Sequence, residues 1–425
     1  MTVTIYPSQP GGTIEAIASK THAHRLLICA ALSQGRTRIN CRTTSEDIQA
    51  TASCLRAMGA RIIRQPYGYF VEAIRCERDA LRILDCGESG STYRFLLPAV
   101  CALGLSAVFK LGGRLPERPM SELFDVLESH GAVISGKGSS SVNIRGKLQP
   151  GIYEVPGNIS SQYISGLLFA LPLLDGCSEI VITNSIESRS YIEATLAAQK
   201  SFGIDMELNG NIIRVPYRGR NCETAVSCNE IDVEGDWSNA AFWLAMGAIG
   251  SKQVTVTGLD MASVQGDKAV CDILSRFGAS ITKQGDTVTA SKGELKAIRI
   301  DAADIPDLVP AIALAAAAAE GETKIVNAGR LRFKESDRLQ AVADVINSLG
   351  GKATQTADGL VIKGNGLLGG GMVDSYNDHR IAMMAAAASV ICREAVTINK
   401  AEAVNKSYPA FYDDFRKLGA DINCK

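Results

Sequence analysis

The sequence predicts an α/β protein built as two similar halves, each holding three copies of one unit of roughly 70 residues. Three observations predict it: a glycine that recurs at nearly constant spacing along the chain, a series of almost wholly apolar helices on the same beat, and a length too great for one core.

The glycine closes a short pattern in which apolar residues precede it and an apolar or alternating run follows. It reads Leu55-Arg56-Ala57-Met58-Gly59-Ala60-Arg61-Ile62, then Leu127-Glu128-Ser129-His130-Gly131-Ala132-Val133-Ile134, then Ser201-Phe202-Gly203-Ile204-Asp205-Met206. It returns as Leu274-Ser275-Arg276-Phe277-Gly278-Ala279-Ser280-Ile281, as Ser348-Leu349-Gly350-Gly351-Lys352-Ala353, and as Arg416-Lys417-Leu418-Gly419-Ala420-Asp421-Ile422. The glycines are 72, 72, 75, 72 and 69 residues apart. A helix that stops on a left-handed glycine and passes at once into a strand accounts for every copy, because glycine has no Cβ to oppose a positive φ.

The second element is a short polar or Gly-containing stretch that opens a strongly apolar helix. Its copies begin near Ser19-Lys20-Thr21, Gly87-Glu88-Ser89-Gly90, Asn158-Ile159-Ser160-Ser161, Gly235-Asp236-Trp237-Ser238, Asp304-Ile305-Pro306-Asp307 and Ser375-Tyr376-Asn377-Asp378. Runs such as His24-Arg25-Leu26-Leu27-Ile28-Cys29-Ala30-Ala31-Leu32 are apolar nearly all round, the mark of a buried helix. Each repeat therefore reads as strand, buried helix with a polar start, strand, amphipathic helix ending in Gly, and one or two strands such as 68–73 or 288–290. Three repeats per half put 19–234 in a first domain and 1–18 with 235–425 in a second. Hinges are expected near 18–20 and 233–236, with the N-terminal strand packing on the second half.

Composition narrows the function. Apolar residues make up 46% of the 425, and 44 Lys plus Arg stand against 45 Asp plus Glu, so there is no basic excess to hold a nucleic-acid backbone. The first residues, Met1-Thr2-Val3-Thr4-Ile5-Tyr6-Pro7, have neither the charged nor the apolar region of a signal peptide, and the expected location is the cytoplasm. The most apolar stretches, 95–109, 308–319 and 381–392, are shorter than the roughly 20 residues a bilayer needs and read as buried helices. Twelve cysteines without a CxxC suggest reduced thiols. The four histidines, His22, His24, His130 and His379, take no HExxH spacing, and no metal site is expected. Gly364-Asn365-Gly366-Leu367-Leu368-Gly369 satisfies GxGxxG but leads to Gly370-Gly371 and the strand-like Met372-Val373-Asp374 rather than a helix, so it is not read as a nucleotide loop.

Six buried helices with polar starts have a physical use, since the unpaired N–H groups of a first turn and the helix dipole attract anions. Lys20, Arg25, Arg94 and Arg380 fall at these starts, with Arg118 in Leu115-Pro116-Glu117-Arg118-Pro119. Local cations in a protein of balanced charge point to small polyanionic ligands, bound in a cleft if the two halves aim their helix starts at one place. Each motif taken singly also has an ordinary explanation. Lys20 and Arg25 could snorkel from a helix end, and Lys334-Glu335-Ser336-Asp337-Arg338 could be a solvated helix start with Lys334 and Arg338 on one face. Ser160-Ser161-Gln162 and Asp378 could be caps alone, and Lys406 a loop lysine.

Together and in this order, Lys20-Thr21 with Arg25, Gly90-Ser91 with Arg94, Glu117-Arg118-Pro119, Ser160-Ser161-Gln162, Ile305-Pro306-Asp307, Lys334 to Arg338, Asp378-His379-Arg380 and Lys406 resemble the 5-enolpyruvylshikimate-3-phosphate synthase family over essentially the whole chain. The resemblance implies two inverse α/β barrels of three βαβαββ-like repeats each, with the active site in the cleft between them. The first domain would lie on the shikimate 3-phosphate side and the second on the phosphoenolpyruvate and proton-transfer side. It implies transfer of the enolpyruvyl group of phosphoenolpyruvate to the 5-hydroxyl of shikimate 3-phosphate, by addition and then elimination of phosphate, on the route to chorismate and the aromatic amino acids. Lys20, Gly90, Arg118, Gln162, Arg338, Arg380 and Lys406 would take phosphoenolpyruvate. Lys20, Thr21, Arg25, Ser160, Ser161, Gln162, Ser188, Tyr191, Asp307 and Lys334 would take shikimate 3-phosphate. Asp307, Glu335 and Lys20 would move the protons. The implied enzyme needs no cofactor or metal, works as a monomer, and has no nucleic-acid or membrane partner.

Four positions depart from the family's usual residues: Thr21 for Ser, Phe95 for Pro, Glu88 for Asn, and Arg330 where some members place an Asn that touches the shikimate ring. Phe95 and Glu88 lie beside the phosphoenolpyruvate loop and leave the response to glyphosate open. The nearest alternative is the enolpyruvyl transferase acting on UDP-N-acetylglucosamine, which typically carries a reactive Cys near the Arg118 region, whereas Leu111 to Met120 contains none. An alternative of another class is a non-catalytic repeat scaffold.

Overall fold

A computed structural model describes residues 1–75, 80–217 and 229–424. Cys76, Cys222 and Cys228 lie outside the described residues, and the other nine cysteines are free thiols. The described helices are α1 (Lys20–Leu32), α2 (Glu46–Ala57), α3 (Gly90–Leu103), α4 (Ser121–Ser129), α5 (Ser161–Ala170), α6 (Arg189–Ser201), α7 (Trp237–Ile249), α8 (Val270–Phe277), α9 (Val309–Ala318), α10 (Arg338–Ser348), α11 (His379–Ala388) and α12 (Phe411–Lys417). None is long and apolar enough to cross a membrane.

The helices alternate in character. Odd-numbered ones are the apolar set: every residue of α7 is buried, as is α9 from Val309 to Ala317. Alanine makes α9 a strong helix former and leaves it narrow enough for close packing, and α7, α9 and α11 pack on one another. In the other half α5 packs on α3 and α1, so closely that a Cβ on Gly166 would run into the carbonyl oxygen of Arg94. Even-numbered helices bury one stripe. In α8 it is Val270, Cys271, Ile273, Leu274 and Phe277, and the helix stops at Gly278 with φ 108°. The other five repeat glycines, Gly59, Gly131, Gly203, Gly350 and Gly419, likewise have φ of 109°, 104°, 75°, 83° and 96°.

Six four-stranded sheets share one topology. In one, Arg82–Asp85 runs parallel to Ala107–Lys110, which is antiparallel to Ser141–Gly146, and Ala132–Ser135 forms the far edge. Alternation sends Ala107 and Phe109 into the core while Val108 faces outward. Three of the sheets are completed by chain from a distant part of the sequence. Thr2–Tyr6 supplies the inner strand between Val396–Asn399 and Asp421–Cys424, so the N-terminal strand packs on the second half. Gly12–Glu15 pairs with Val254–Thr257, and Asn229–Asp232 with Arg36–Asn40.

The chain divides into two compact units, a first of Lys20–Val233 and a second of Met1–Ser19 with Glu234–Lys425. The division differs by one residue at each crossing from the sequence expectation, because Ser19 and Glu234 belong with the second unit. There the Ser19 amide donates to the Glu234 carbonyl at 2.8 Å, next to an antiparallel bridge between Ala18 and Gly235. Buried Gln265 holds the same point, accepting from Trp237 N at 3.1 Å and donating to Gly235 O at 2.8 Å.

The second unit's core is keyed by Trp243, 1% exposed and stacked on Phe411 at 4.7 Å between ring centroids, with Tyr408 and Phe415 against its other sides. Trp243→Ala is expected to cost about 3–5 kcal/mol, measured by denaturant unfolding. A loss below about 1 kcal/mol would mean that the aromatic cluster collapses into the gap.

Candidate active site

In the second unit one arginine gathers three carboxylates. Arg338 opens α10, which starts where it does because the Asp337 side chain accepts from the Gln340 amide at 3.1 Å. The Arg338 side chain is 1% exposed, and its Nε donates to Asp378 Oδ2 at 2.8 Å, Nη1 to Asp307 Oδ1 at 2.8 Å, and Nη2 to Glu335 Oε2 at 2.6 Å. Burial works against its charge, but Asp378, Glu335 and Asp307 outweigh it and raise its pKa above the ordinary value.

Asp307 lies in the 3-10 turn Pro306–Leu308 that leads into α9. Its Oδ1 also faces Lys334 Nζ at 3.5 Å, and its Oδ2 accepts from Arg380 Nη2 at 3.1 Å. Both carboxylate oxygens are thus fixed by cations from three separate places in the chain. Lys334 is not on a helical face with Arg338, as its spacing suggested. It lies in extended backbone (φ −91°, ψ −158°) before the Asp337 cap, and it faces the same oxygen of Asp307 as Arg338 does.

Asp378 does more than cap. Its Oδ1 accepts from the Arg380 amide at 2.9 Å at the start of α11, while Oδ2 takes Ser336 Oγ at 3.0 Å as well as Arg338. The turn before it holds Tyr376 and Asn377 at φ 54° and 55°, a left-handed conformation that costs energy in non-glycine residues. Lys406 supports that turn, donating to the Asn377 carbonyl at 2.5 Å. Arg330 Nη2 donates to the Ala303 carbonyl at 2.7 Å, in the loop leading to Asp307.

In the first unit, Lys20 opens α1 and pairs with Asp47 of α2 at 2.8 Å. Arg25, 2% exposed, donates to Thr21 O at 2.8 Å, Thr195 Oγ1 at 2.9 Å and Tyr191 O at 2.9 Å, with the Phe95 ring 5.1 Å from its guanidinium carbon. These hydrogen-bond acceptors are uncharged, and burial pulls the pKa of Arg25 down to about 10. A buried cation held by neutral groups gains from an incoming anion. Neighbouring His22 is held down to about 4 by burial and by Arg25, so its imidazole is neutral at pH 7, and the buried His24, whose Nδ1 meets Thr51 Oγ1 at 2.6 Å, is held well below the ordinary value by burial, Lys20 and Arg25.

A second group forms about Gly90, the first residue of α3, capped by Ser89. Arg94 Nη1 donates to Gln162 Oε1 at 2.9 Å, and Gln162 Nε2 donates to Ser91 Oγ at 2.9 Å. Ser160 caps α5 with its oxygen on the Gln162 amide, and buried Ser161 opens that helix. Ser188, buried at φ 55°, precedes α6 and accepts the Tyr191 amide at 3.1 Å. A Cβ added to Gly90 would lie 2.7 Å from Arg118 Nη1 and 3.0 Å from Arg94 Nη1. A side chain at position 90 would therefore displace the Arg118 and Arg94 guanidinium groups.

Asp307, Lys334, Glu335, Arg338 and Arg380 thus form one cluster, with Lys406 behind the Asn377 turn. Gly90, Arg118 and Gln162 gather with Arg94, and Thr21, Arg25 and Tyr191 form a third group. Sequence reasoning singled out Ser91 in the Gly90-Ser91 motif without giving it a role, and passed over Asp47, whose only signal was the polar character of a helix start.

Twin units of three α/β repeats, with Lys20, Arg25 and Arg94 in the first turns of α1 and α3 and Arg338 and Arg380 at the starts of α10 and α11, have the cations that an enzyme acting on small, multiply charged anions requires. The chain belongs to the EPSP synthase (3-phosphoshikimate 1-carboxyvinyltransferase) family, whose model matches residues 7–415. It is 40% identical to the 3-phosphoshikimate 1-carboxyvinyltransferase of Clostridium novyi (strain NT), with 99% of this chain and 98% of that protein covered. It is 41% identical to that of Clostridium botulinum (strain Eklund 17B / Type B) over the same shares. Its fold is similar to that of EPSP synthase from Acinetobacter baumannii, with a TM-score of 0.80, 27% identity and both chains covered in full. The enolpyruvyl transferase NikO from Streptomyces tendae shares the fold at a TM-score of 0.78 and 19% identity, over 99% of this chain and 98% of that one.

Proposed function

We propose that the protein transfers the enolpyruvyl group of phosphoenolpyruvate to the 5-hydroxyl of shikimate 3-phosphate, releasing phosphate, in the shikimate pathway. The observation that carries the reading is Asp307, a carboxylate set between Lys334, Arg338 and Arg380. Such an arrangement orients a proton acceptor among cations able to hold the charge of two anionic substrates.

In this reading Lys20, Thr21, Arg25, Ser160, Ser161, Gln162, Ser188, Tyr191, Asp307 and Lys334 hold shikimate 3-phosphate, with buried Arg25 balancing negative charge. Lys20, Gly90, Arg118, Gln162, Arg338, Arg380 and Lys406 serve phosphoenolpyruvate. Arg338 is already engaged by three carboxylates, so its first contribution is to fix Asp307 and Glu335. Asp307 accepts the proton of the 5-hydroxyl as its oxygen bonds to C2 of phosphoenolpyruvate, and Glu335 with Lys20 delivers a proton to C3. In the second step C3 returns a proton, the C2–O bond to phosphate breaks, and the enol ether double bond forms.

The units would keep the division of labour expected from the sequence, with Lys20–Val233 on the shikimate 3-phosphate side. The enzyme is read as a cytoplasmic monomer that needs neither cofactor nor metal. Phosphate release should be seen with phosphoenolpyruvate and shikimate 3-phosphate in the presence of a chelator, and not with UDP-N-acetylglucosamine. Release with the sugar nucleotide alone would replace the acceptor, and sedimentation at the mass of two chains would replace the monomer.

A further inference from the structure

The starts of α1 and α3, which carry groups assigned to the two substrates, are joined through the interior of the first unit by polar side chains that the reaction itself does not use. Lys20 and His24 lie one turn apart on α1, and Asp47 and Thr51 one turn apart on α2, so the two pairs form successive rungs between the helices. The outer rung is the ion pair of Lys20 with Asp47 at 2.8 Å, and the inner one is His24 Nδ1 with Thr51 Oγ1 at 2.6 Å. From Thr51 the contact passes to α3. Thr51 Oγ1 lies 2.6 Å from Thr92 Oγ1, and Thr92 Oγ1 donates to Ser89 Oγ at 2.8 Å. His24 and Ser89 are 1% exposed, and Thr51 and Thr92 are wholly buried.

The directions of these hydrogen bonds follow from the single hydrogen that each hydroxyl has to give. Thr92 gives its own to Ser89, so it accepts from Thr51. Thr51 has no second hydrogen and therefore accepts from His24. The His24 proton sits on Nδ1, and Nε2 is a bare lone pair, buried and without a partner among the described residues. A second proton there would be desolvated with no acceptor, in keeping with the lowered pKa of this imidazole. The chain ends on the N-cap of α3, where Ser89 Oγ also accepts from the Thr92 amide at 3.3 Å and the next residue is Gly90. Valine or alanine could fill a core between three helices with no polar group to desolvate, so a chain in which each hydroxyl is engaged points to a need for one particular packing of α1, α2 and α3. A small shift of the first turn of α3 reaches the guanidinium groups of Arg118 and Arg94, which lie close against Gly90.

We propose that His24, Thr51, Thr92 and Ser89 form a positioning relay for the transfer reaction, fixing the first turn of α3, with Gly90 and the arginines beside it, against the first turn of α1. The inference rests on the assignment of Gly90 and Arg118 to phosphoenolpyruvate.

The test is phosphate release by the full chain as a function of phosphoenolpyruvate concentration, with shikimate 3-phosphate affinity and denaturant unfolding measured alongside. Thr51→Val keeps the shape of the side chain but breaks the relay in its middle. It should raise KM for phosphoenolpyruvate about tenfold, with kcat and shikimate 3-phosphate affinity within about threefold of the parent. Thr51→Ser restores the hydroxyl and should return KM to within about threefold. Thr92→Val should act like Thr51→Val, and the double valine variant should be no worse than either single one, because one break already interrupts the relay. A chain of side chains that only stabilised the fold would lower the unfolding midpoint and leave KM of the folded enzyme at the parental value. Parental KM in both valine variants, failure of Thr51→Ser to rescue, or losses that multiply in the double variant overturn the proposal. Should the valine variants not fold, Thr92→Ala takes their place under the same KM criterion. Long-range nitrogen–proton NMR correlations, with the His24 signals identified by their loss in His24→Gln, should show the ring proton on Nδ1, and a proton on Nε2 overturns the relay. No phosphate release by the parent removes the reading of the reaction and the proposal with it, whereas an active parent beside unmoved KM values removes the relay alone.

Discussion

Asp307→Ala is expected to lower kcat by about 10²- to 10⁴-fold while binding of shikimate 3-phosphate stays measurable. The expectation follows from the fixing of both its oxygens, Oδ1 by Arg338 at 2.8 Å and Oδ2 by Arg380 at 3.1 Å, on a carboxylate that, unlike the fully buried Asp378, keeps some exposure. Removing it also leaves Arg338 and Arg380 with one carboxylate fewer, so part of the loss could come from those side chains moving. Asp307→Asn separates the two effects, since the amide keeps the shape and can still accept from one guanidinium. If Asn is as inactive as Ala in single-turnover experiments, proton transfer is the lost function. Turnover within about threefold of the parent in both variants would exclude Asp307 from the mechanism.

Arg338→Met is expected to cost about 3–5 kcal/mol of stability, together with loss of activity. Methionine fills similar space but leaves Asp378, fully buried, and the half-buried Asp307 and Glu335 without their common cation. Carboxylates stranded in this way should have raised pKa values in the folded variant. The sign then follows: such groups favour the folded state at low pH and lose that contribution as pH rises. The deficit relative to the parent should therefore be smaller near pH 5 than near pH 8 in denaturant unfolding. A deficit under about 1 kcal/mol, equal at both pH values, would show that Asp378 and Glu335 find other partners and that Arg338 is not the organiser of the cluster.

Much of the architecture was legible because it rests on local rules repeated six times. Positive φ at Gly59 or Gly278 is a property of one residue and its neighbours, and so is the end of the preceding helix. The buried character of α9 is visible in Val309 to Ala318 alone, since no arrangement of that composition leaves a polar face. Caps at Ser89, Ser160, Asp236, Asp337 and Asp378 are equally local. The same localism explains the error at Lys334. Spacing of four residues predicts a shared helical face only if the helix has begun, and the Asp337 cap delays it to Arg338.

By itself, then, the sequence determined the repeat, the alternation of apolar and amphipathic helices, and the placing of cations at helix starts. All three follow from interactions within a few residues of one another. Tertiary structure alone decided which strand completes each sheet, that Asp47 meets Lys20, and that Arg338 gathers Asp307, Glu335 and Asp378. Those pairings join separate helices and repeats. A charge's partner is set by where packing brings distant backbone together, and no short-range pattern carries that information.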